Sequence, residues 1–229
     1  MKINGLQKLT LLDYPGKLAC TVFLAGCNLR CPYCHNSELI SKDAPALMDG
    51  TEFLDFLSKR KGTLEGVCFT GGEPLMYPGL EDLISEVKSL GYLVKLDTNG
   101  CFPDKLKNLL AKGLLDYVAM DIKNSKEKYA QAAGIEGLSI NKIEESVEIL
   151  KTSGIDFEFR TTVVAELHDE SSFEGIGKWI ESAPKYFLQA FADRDSVVFS
   201  GLHAPSAEDM AKYQEILAKY GIKASIRGM

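Results

Sequence analysis

Apolar residues along the chain fall into two alternating kinds of run. Short, nearly continuous stretches read as buried strands, and longer stretches with apolar residues three or four apart read as amphipathic helices. "LACTVFL" (Leu18–Leu24) is the first strand. "TEFLDFLSKRKG" (Thr51–Gly62) predicts a helix capped at Asp49 or Thr51 and stopped by a glycine. "GVCFT" (Gly66–Thr70) is the second strand, "LEDLISEVKSLG" (Leu80–Gly91) a helix, and "YLVKLDT" (Tyr92–Thr98) the third strand. "PDKLKNLLAKG" (Pro103–Gly113) is a helix with proline near its start, where a missing N–H matters least. "DYVAMDIK" (Asp116–Lys123), "DFEFRTTVV" (Asp156–Val164) and "YFLQAFA" (Tyr186–Ala192) continue the strands. "KIEESVEILKTSG" (Lys142–Gly154), "SFEGIGKWIESA" (Ser172–Ala183) and "AEDMAKYQEILAKYG" (Ala207–Gly221) continue the helices, and "KASIR" (Lys223–Arg227) reads as a short last strand.

This order predicts an α/β fold with a mostly parallel sheet and right-handed crossovers. Six repeats fall short of the eight of a closed barrel. The first expectation is therefore a partial, open (β/α)6 TIM-like barrel, with a doubly wound open sheet as the alternative. Polar and glycine-rich motifs recur at the C-terminal ends of the strands, where such barrels assemble their sites. No linker divides the chain. A single domain over residues 1–229 is expected, with its core over about 11–192 and a closing helix and strand over about 207–227.

Composition narrows the partners. Of 229 residues, 45% are hydrophobic and 25% charged, an ordinary globular mixture. No apolar run approaches the roughly 20 residues of a membrane span, and the N-terminus lacks the long apolar stretch of an export signal. A cytoplasmic location without a membrane role is expected. A net charge of −6 offers no general basic face for nucleic acid.

Three of the six cysteines crowd into "CNLRCPYCHN": Cys27, Cys31 and Cys34, spaced C-x3-C-x2-C. Without an export signal, clustered thiols point to metal or redox chemistry rather than disulfides. Zinc in a structural site takes four protein ligands, and His35 or a distant cysteine would have to complete the set. A four-iron cluster held by only three cysteines keeps one iron open to a ligand. Farther along, "GGEP" brings Gly71, Gly72 and the Glu73 carboxylate to the end of the second strand. Asp97 ends the third strand, Asp121 and Lys123 share one side of the fourth, and Arg160 stands on the fifth. Carboxylates for an ammonium and cations for a carboxylate suit an amino-acid-like ligand.

With these residues the chain resembles the radical S-adenosylmethionine (radical SAM) enzymes. "CNLRCPYCHN" carries their cysteine signature and "GGEP" looks like their methionine-amine motif. The wider stretch "LLDYPGKLACTVFLAGCNLRCPYCHN", with "DTNG", "MDIK" and "FRTTVV", is similar to activating proteins of glycyl-radical enzymes, above all the anaerobic ribonucleotide reductase type. The likeness runs from Leu11 to about Ala192. It implies a [4Fe-4S] cluster on Cys27, Cys31 and Cys34, with S-adenosylmethionine chelated at the fourth iron. Reductive cleavage of the cofactor then gives a 5′-deoxyadenosyl radical that takes a glycine Cα hydrogen from a partner glycyl-radical enzyme. An external donor such as flavodoxin or ferredoxin supplies the electron. No protein acid–base pair is implied, because the cofactors carry the chemistry.

The resemblance also implies residue roles. Gly71, Gly72 and Glu73 would position the methionine amine, and Lys123 or Arg160 would face its carboxylate. Asp97, Thr98 and Asp121 match positions that hold a monovalent cation beside the cofactor. Tyr33 would pack on adenine or shield the cluster, and His35 would hydrogen-bond around it. "DYPG" (Asp13–Gly16) stands where the activases carry "DGPG", and Phe191 where pyruvate formate-lyase activases carry a histidine. Cys20, Cys68 and Cys101 read as small core residues. Two other functions fit the motifs: a radical SAM enzyme acting on a small molecule, such as a deazapurine-forming one, and a non-catalytic zinc-binding module.

Overall fold

The structure, a computed structural model, describes residues 1–229. Its strands are β1 (Lys2–Ile3), β2 (Gly5–Thr10), β3 (Ala19–Leu24), β4 (Met48–Asp49), β5 (Gly66–Gly71), β6 (Leu93–Thr98), β7 (Tyr117–Asp121), β8 (Asp156–Val163), β9 (Tyr186–Ala190) and β10 (Ala224–Arg227). Its α-helices are α1 (Gly50–Ser58), α2 (Leu80–Ser89), α3 (Pro103–Ala111), α4 (Tyr129–Ala133), α5 (Asn141–Thr152), α6 (Glu170–Trp179) and α7 (Ala207–Ala218). No helix is long and apolar enough to cross a membrane.

The main sheet has eight strands in the order β10-β9-β8-β7-β6-β5-β3-β2. All neighbours are parallel except β2, which runs antiparallel to β3. From β3 to β9 the spatial order follows the chain order without reversal. A doubly wound sheet needs a point where the order turns back, so that alternative is excluded. Right-handed crossovers all advancing the same way put the helices on one face and curl the sheet. The edges β2 and β10 do not pair, so the barrel stays open.

Period-2 alternation sorts each strand between two environments. Val22, Val67, Phe69, Val94, Leu96, Val118, Met120 and Phe159 point outward into one apolar cluster shared with helix residues such as Leu83, Leu106, Val147 and Ile176. The inner face is polar. Thr21, Cys68, Lys95 and Tyr117 lie side by side across β3, β5, β6 and β7. At the N-terminal end of the bore, Tyr117 donates to Glu158 Oε2 at 2.9 Å and Arg227 binds Glu158 Oε1 at 3.1 Å. Tyr14 of "DYPG" packs there against Ala19 and Tyr117, at the strand ends opposite the cysteines. Cys20 and Cys101 belong to the apolar core as expected. Cys68 does not: it faces Lys95 and Asp97 inside the bore.

The helix boundaries follow local chemistry. Asp49 caps α1 reciprocally, accepting from the Glu52 N–H while its own N–H donates to the Glu52 carboxylate. Ser206 and Asp209 do the same for α7. For α6 the cap is Asp169, which moves the start to Glu170, two residues before the expected one. Pro103 opens α3.

Candidate active site

The cysteine run leaves β3 and crosses the C-terminal end of the barrel. Backbone bonds anchor it: Gly26 N–H to Leu39 O at 2.8 Å, Cys27 N–H to Ile40 O at 3.1 Å, and Glu73 N–H to Gly26 O at 2.7 Å. Cys27, Cys31 and Cys34 are all free thiols, partly exposed, and line one cavity. Tyr33, His35, Asn36, Leu29 and Ile40 come from the same run, Gly71 and Gly72 from β5 and its loop, and Asn99, Lys123 and Thr162 from beyond.

The two glycines serve the chain before they serve a ligand. Gly71 has φ +123°, and a Cβ there would lie 2.3 Å from Leu24 O. A Cβ on Gly72 would lie 2.3 Å from Gly26 O. Their bareness lets the β5 loop press against the cysteine run, and both still reach the cavity wall.

Glu73 sits behind that wall. It is 1% exposed, and its carboxylate accepts from Leu75 N–H at 3.1 Å, the Thr98 hydroxyl at 2.8 Å and Asn99 N–H at 2.7 Å. Burial pushes its pKa up to about 7. In this arrangement Glu73 ties the loops after β5 and β6 together; its oxygens do not line the cavity. Thr98 turns its hydroxyl toward Glu73.

Five charges form a chain on the inner face, buried at Lys95 and partly buried beyond it. Lys95 pairs with Asp97 Oδ1 and Arg160 with Asp97 Oδ2 at 3.2 Å. Arg160 Nε also reaches Asp121 Oδ1 at 3.0 Å, and Lys123 reaches Asp121 Oδ2 at 3.0 Å. Burial alone would raise the Asp121 carboxyl, but Lys123 and Arg160 outweigh it and hold it down at about 2. Burial works against the charge on Lys123, yet Asp121 keeps its ammonium well above the usual lysine range. All four carboxylate oxygens of Asp97 and Asp121 are thus paired with side-chain cations. Of this chain only Lys123 lines the cavity; Asp97, Asp121 and Arg160 support it from behind.

Sequence reasoning missed Lys95, Asn99 and Thr162. The Lys95 signal was present, because alternation puts Lys95 and Asp97 on one face of β6. Asn99 reaches two loops: its amide donates to Asn28 Oδ1 at 2.9 Å and lies 4.0 Å from Cys27 Sγ, both in the cysteine run, and its N–H holds Glu73 after β5. Leu29 N–H donates to Cys27 Sγ at 3.4 Å. His35 Nε2 donates to Ala192 O at 2.7 Å, and its ring stacks on Phe191 with centroids 5.5 Å apart. That hydrogen bond takes up one ring nitrogen of the side chain a zinc site would need.

The donor set fits an iron–sulfur cluster with a zwitterionic ligand. Three thiols share a cavity, N–H groups point at one sulfur, and an ammonium stands in the wall. Tyr33 also lines the cavity, and its hydroxyl, buried beyond the surface, has no hydrogen-bond partner within the chain.

Comparison with known proteins agrees. Residues 21–176 match the model of the Radical SAM superfamily. A protein of Methanocaldococcus jannaschii, provisionally named a glycyl-radical enzyme activating enzyme, is 31% identical over 95% of this chain and 92% of its own. The pyruvate formate-lyase-activating enzyme of Clostridium pasteurianum is 28% identical over 73% of this chain and 71% of its own. Among solved structures, a radical SAM methyltransferase from Sphaerobacter thermophilus superposes with TM-score 0.73 at 14% identity, covering 96% of this chain and 68% of that one. At that identity the last likeness bears on the fold alone.

Proposed function

The chain belongs to the radical SAM superfamily, and we propose that within it this protein activates a glycyl-radical enzyme, with an anaerobic ribonucleotide reductase as partner. The observation that carries this reading is the relatedness over nearly the whole chain to a protein named for that activity. The open seam between β2 and β10 supports it, since a polypeptide loop can enter an unclosed barrel from the side.

Bound at this site, a [4Fe-4S] cluster and S-adenosylmethionine supply a low-potential electron and a carbon-centred radical able to remove a hydrogen atom. Cys27, Cys31 and Cys34 would hold such a cluster as thiolates, one ligand short of the four that close it. Leu29 N–H and the Asn99 amide steady the charge on the Cys27 sulfur. Lys123 presents its ammonium to the cofactor's carboxylate, with Asp121 and Arg160 fixing its position. Gly71 and Gly72 leave backbone, with no side chain, against the methionine moiety. Leu29, Tyr33 and Ile40 keep water from the reacting centre. An external donor of flavodoxin or ferredoxin type would supply the electron, and no side chain would act as acid or base.

Anaerobic co-incubation of the reconstituted protein with the reductase, S-adenosylmethionine and a reductant tests the proposal. A glycyl doublet in electron paramagnetic resonance is expected. Productive cofactor cleavage with a small metabolite, and no doublet with any glycyl-radical protein of the same cell, would favour a small-molecule enzyme instead.

A further inference from the structure

The fourth parallel strand ends before the chain reaches the cavity. β7 stops at Asp121, opposite Arg160, and Ile122 N–H still donates to Arg160 O at 2.8 Å. Lys123 stands beyond the strand, yet it is part of the cavity wall. Backbone groups that leave a ladder inside a protein need other partners, and here side chains supply them. The Thr161 hydroxyl donates to Ile122 O at 2.6 Å, His168 Nε2 donates to Lys123 O at 2.9 Å, and the Asn124 amide donates to Leu167 O at 2.8 Å.

His168, in the turn after β8, is 4% exposed. Its two ring nitrogens have different tasks. Lys123 O can only accept, so Nε2 carries the proton. Nδ1 then accepts, from Val164 N–H at 3.1 Å. Val164 O lies 3.2 Å from the same nitrogen but is already taken by the backbone N–H groups of Leu167 and His168. One neutral tautomer therefore satisfies both bonds. Burial favours it, holding the imidazole below the usual histidine range. The ring is fixed in place by Phe173, with centroids 6.0 Å apart, and the Tyr213 hydroxyl donates to His168 O at 3.2 Å. An apolar side chain could fill this space, but it would leave Lys123 O and Val164 N–H unmet.

We propose that His168 is a positioning residue for the cofactor: its Nε2–H bond to Lys123 O fixes the main chain from which the Lys123 ammonium reaches the cavity. The inference rests on the proposed function, in which that ammonium meets the cofactor's carboxylate, and it adds the residue that sets where the ammonium stands. Asp121 Oδ2 holds the tip of the Lys123 side chain at 3.0 Å, and His168 holds its root. With both ends fixed, little ordering is left for the ligand to impose. His168 is not part of the cavity wall and acts through Lys123.

Two substitutions separate the tasks of the imidazole. In His168→Gln the amide nitrogen can occupy the Nε2 position and donate to Lys123 O, leaving Val164 N–H unmet. In His168→Asn the shorter amide reaches only the Nδ1 position and can accept from Val164 N–H, leaving Lys123 O unmet. Wild type, both variants and Lys123→Gln are reconstituted with iron and sulfide. Binding of S-adenosylmethionine and of its decarboxylated analogue is then measured anaerobically by equilibrium dialysis. His168→Asn is expected to bind S-adenosylmethionine about tenfold more weakly, as loss of one hydrogen bond implies, and to bind the analogue as wild type does. His168→Gln is expected to stay within about threefold of wild type for both probes. Equal loss in the two variants, no loss in His168→Asn, or its equal weakening toward both probes would overturn the proposal. Unaltered affinity in Lys123→Gln would instead remove the carboxylate reading on which the proposal rests. Should the variants fail to take up iron, wild type decides through ring nitrogen-15 spectra of its three histidines near neutral pH. His168 is expected there as the neutral Nε2–H form, and an Nδ1–H form or an imidazolium would overturn the assignment.

Discussion

The Lys95 ammonium, 1% exposed inside the barrel, is ion-paired with the Asp97 carboxylate two residues farther along the same strand. This pair opens the charge chain that ends at Lys123 in the cavity wall. Charge balance ranks two substitutions. Lys95→Met leaves two cations facing two carboxylates, and a loss of less than about 3 kcal/mol is expected. Asp97→Asn leaves three cations facing one carboxylate, and a loss nearer the 3–5 kcal/mol of a broken buried pair is expected. Urea denaturation of both variants checks the order, and a reversed order would contradict the balance drawn here.

Because Lys95, Arg160 and Lys123 already claim every oxygen of Asp97 and Asp121, binding of S-adenosylmethionine should not need an alkali cation. Replacing sodium and potassium by choline at constant ionic strength is expected to leave its affinity within a factor of two. A larger drop, restored by one cation specifically, would show that a cation enters the network after all.

Gly72→Ala brings a methyl group 2.3 Å from Gly26 O, and that oxygen is backbone that cannot swing aside. The β5 loop must then part from the cysteine run. Destabilisation of at least about 2 kcal/mol is expected, with iron uptake falling alongside. Gly62→Ala is the control, since nothing lies near its Cβ position, although its positive φ carries some backbone strain. Thermal melts and iron assays of the two variants separate crowding from general fragility.

Glu73 has its folded pKa raised to about 7 from an ordinary 4.5, chiefly by burial. The folded state then binds more protons than the unfolded one between those values. Its contribution is fully present below about pH 4.5 and is lost as pH rises through 7, a span on the order of 3 kcal/mol. Glu73→Gln removes this titration. The stability of wild type relative to the variant should therefore decline between pH 5 and 8, as urea melts across that range would measure. A constant difference would place the Glu73 pKa near its ordinary value.

Cys31→Ala should abolish the cluster and its brown absorbance, whereas Cys101→Ala, in the apolar core, should keep both at a modest cost in melting temperature. Retention of a full cluster in Cys31→Ala would reassign the ligands.

The parallel strands were legible because strands such as β3 and β7 are buried along nearly their whole length, which writes unbroken apolar runs. β2 was not: "GLQKLT" is an edge strand, exposed over its middle, and its polar residues carry no alternation. β1 and β4 have two residues each, and α4 is a five-residue helix without a side-chain cap. In the site, Cys27, Cys31 and Cys34 were legible from spacing, and Asp121 with Lys123 from their separation by two residues, although β7 ends at Asp121 and Lys123 stands just beyond the strand on which alternation had placed it. The partnership of Glu73 with Thr98 and Asn99 was not, because it spans 25 and 26 residues and depends on which loops meet over the barrel. The same distance hid the orphaned Tyr33 hydroxyl, whose lack of a partner is a property of the packed molecule.

The backbone bonds at Gly26 and Cys27 have a consequence for maturation. Gly26 is tied on one side to Leu39 and on the other to Glu73, so the start of the cysteine run is held by backbone bonds of the chain itself, independently of its thiols. Ordering of that segment is thus a part of folding, and metallocentre assembly meets a preshaped receptacle with little residual disorder to quench.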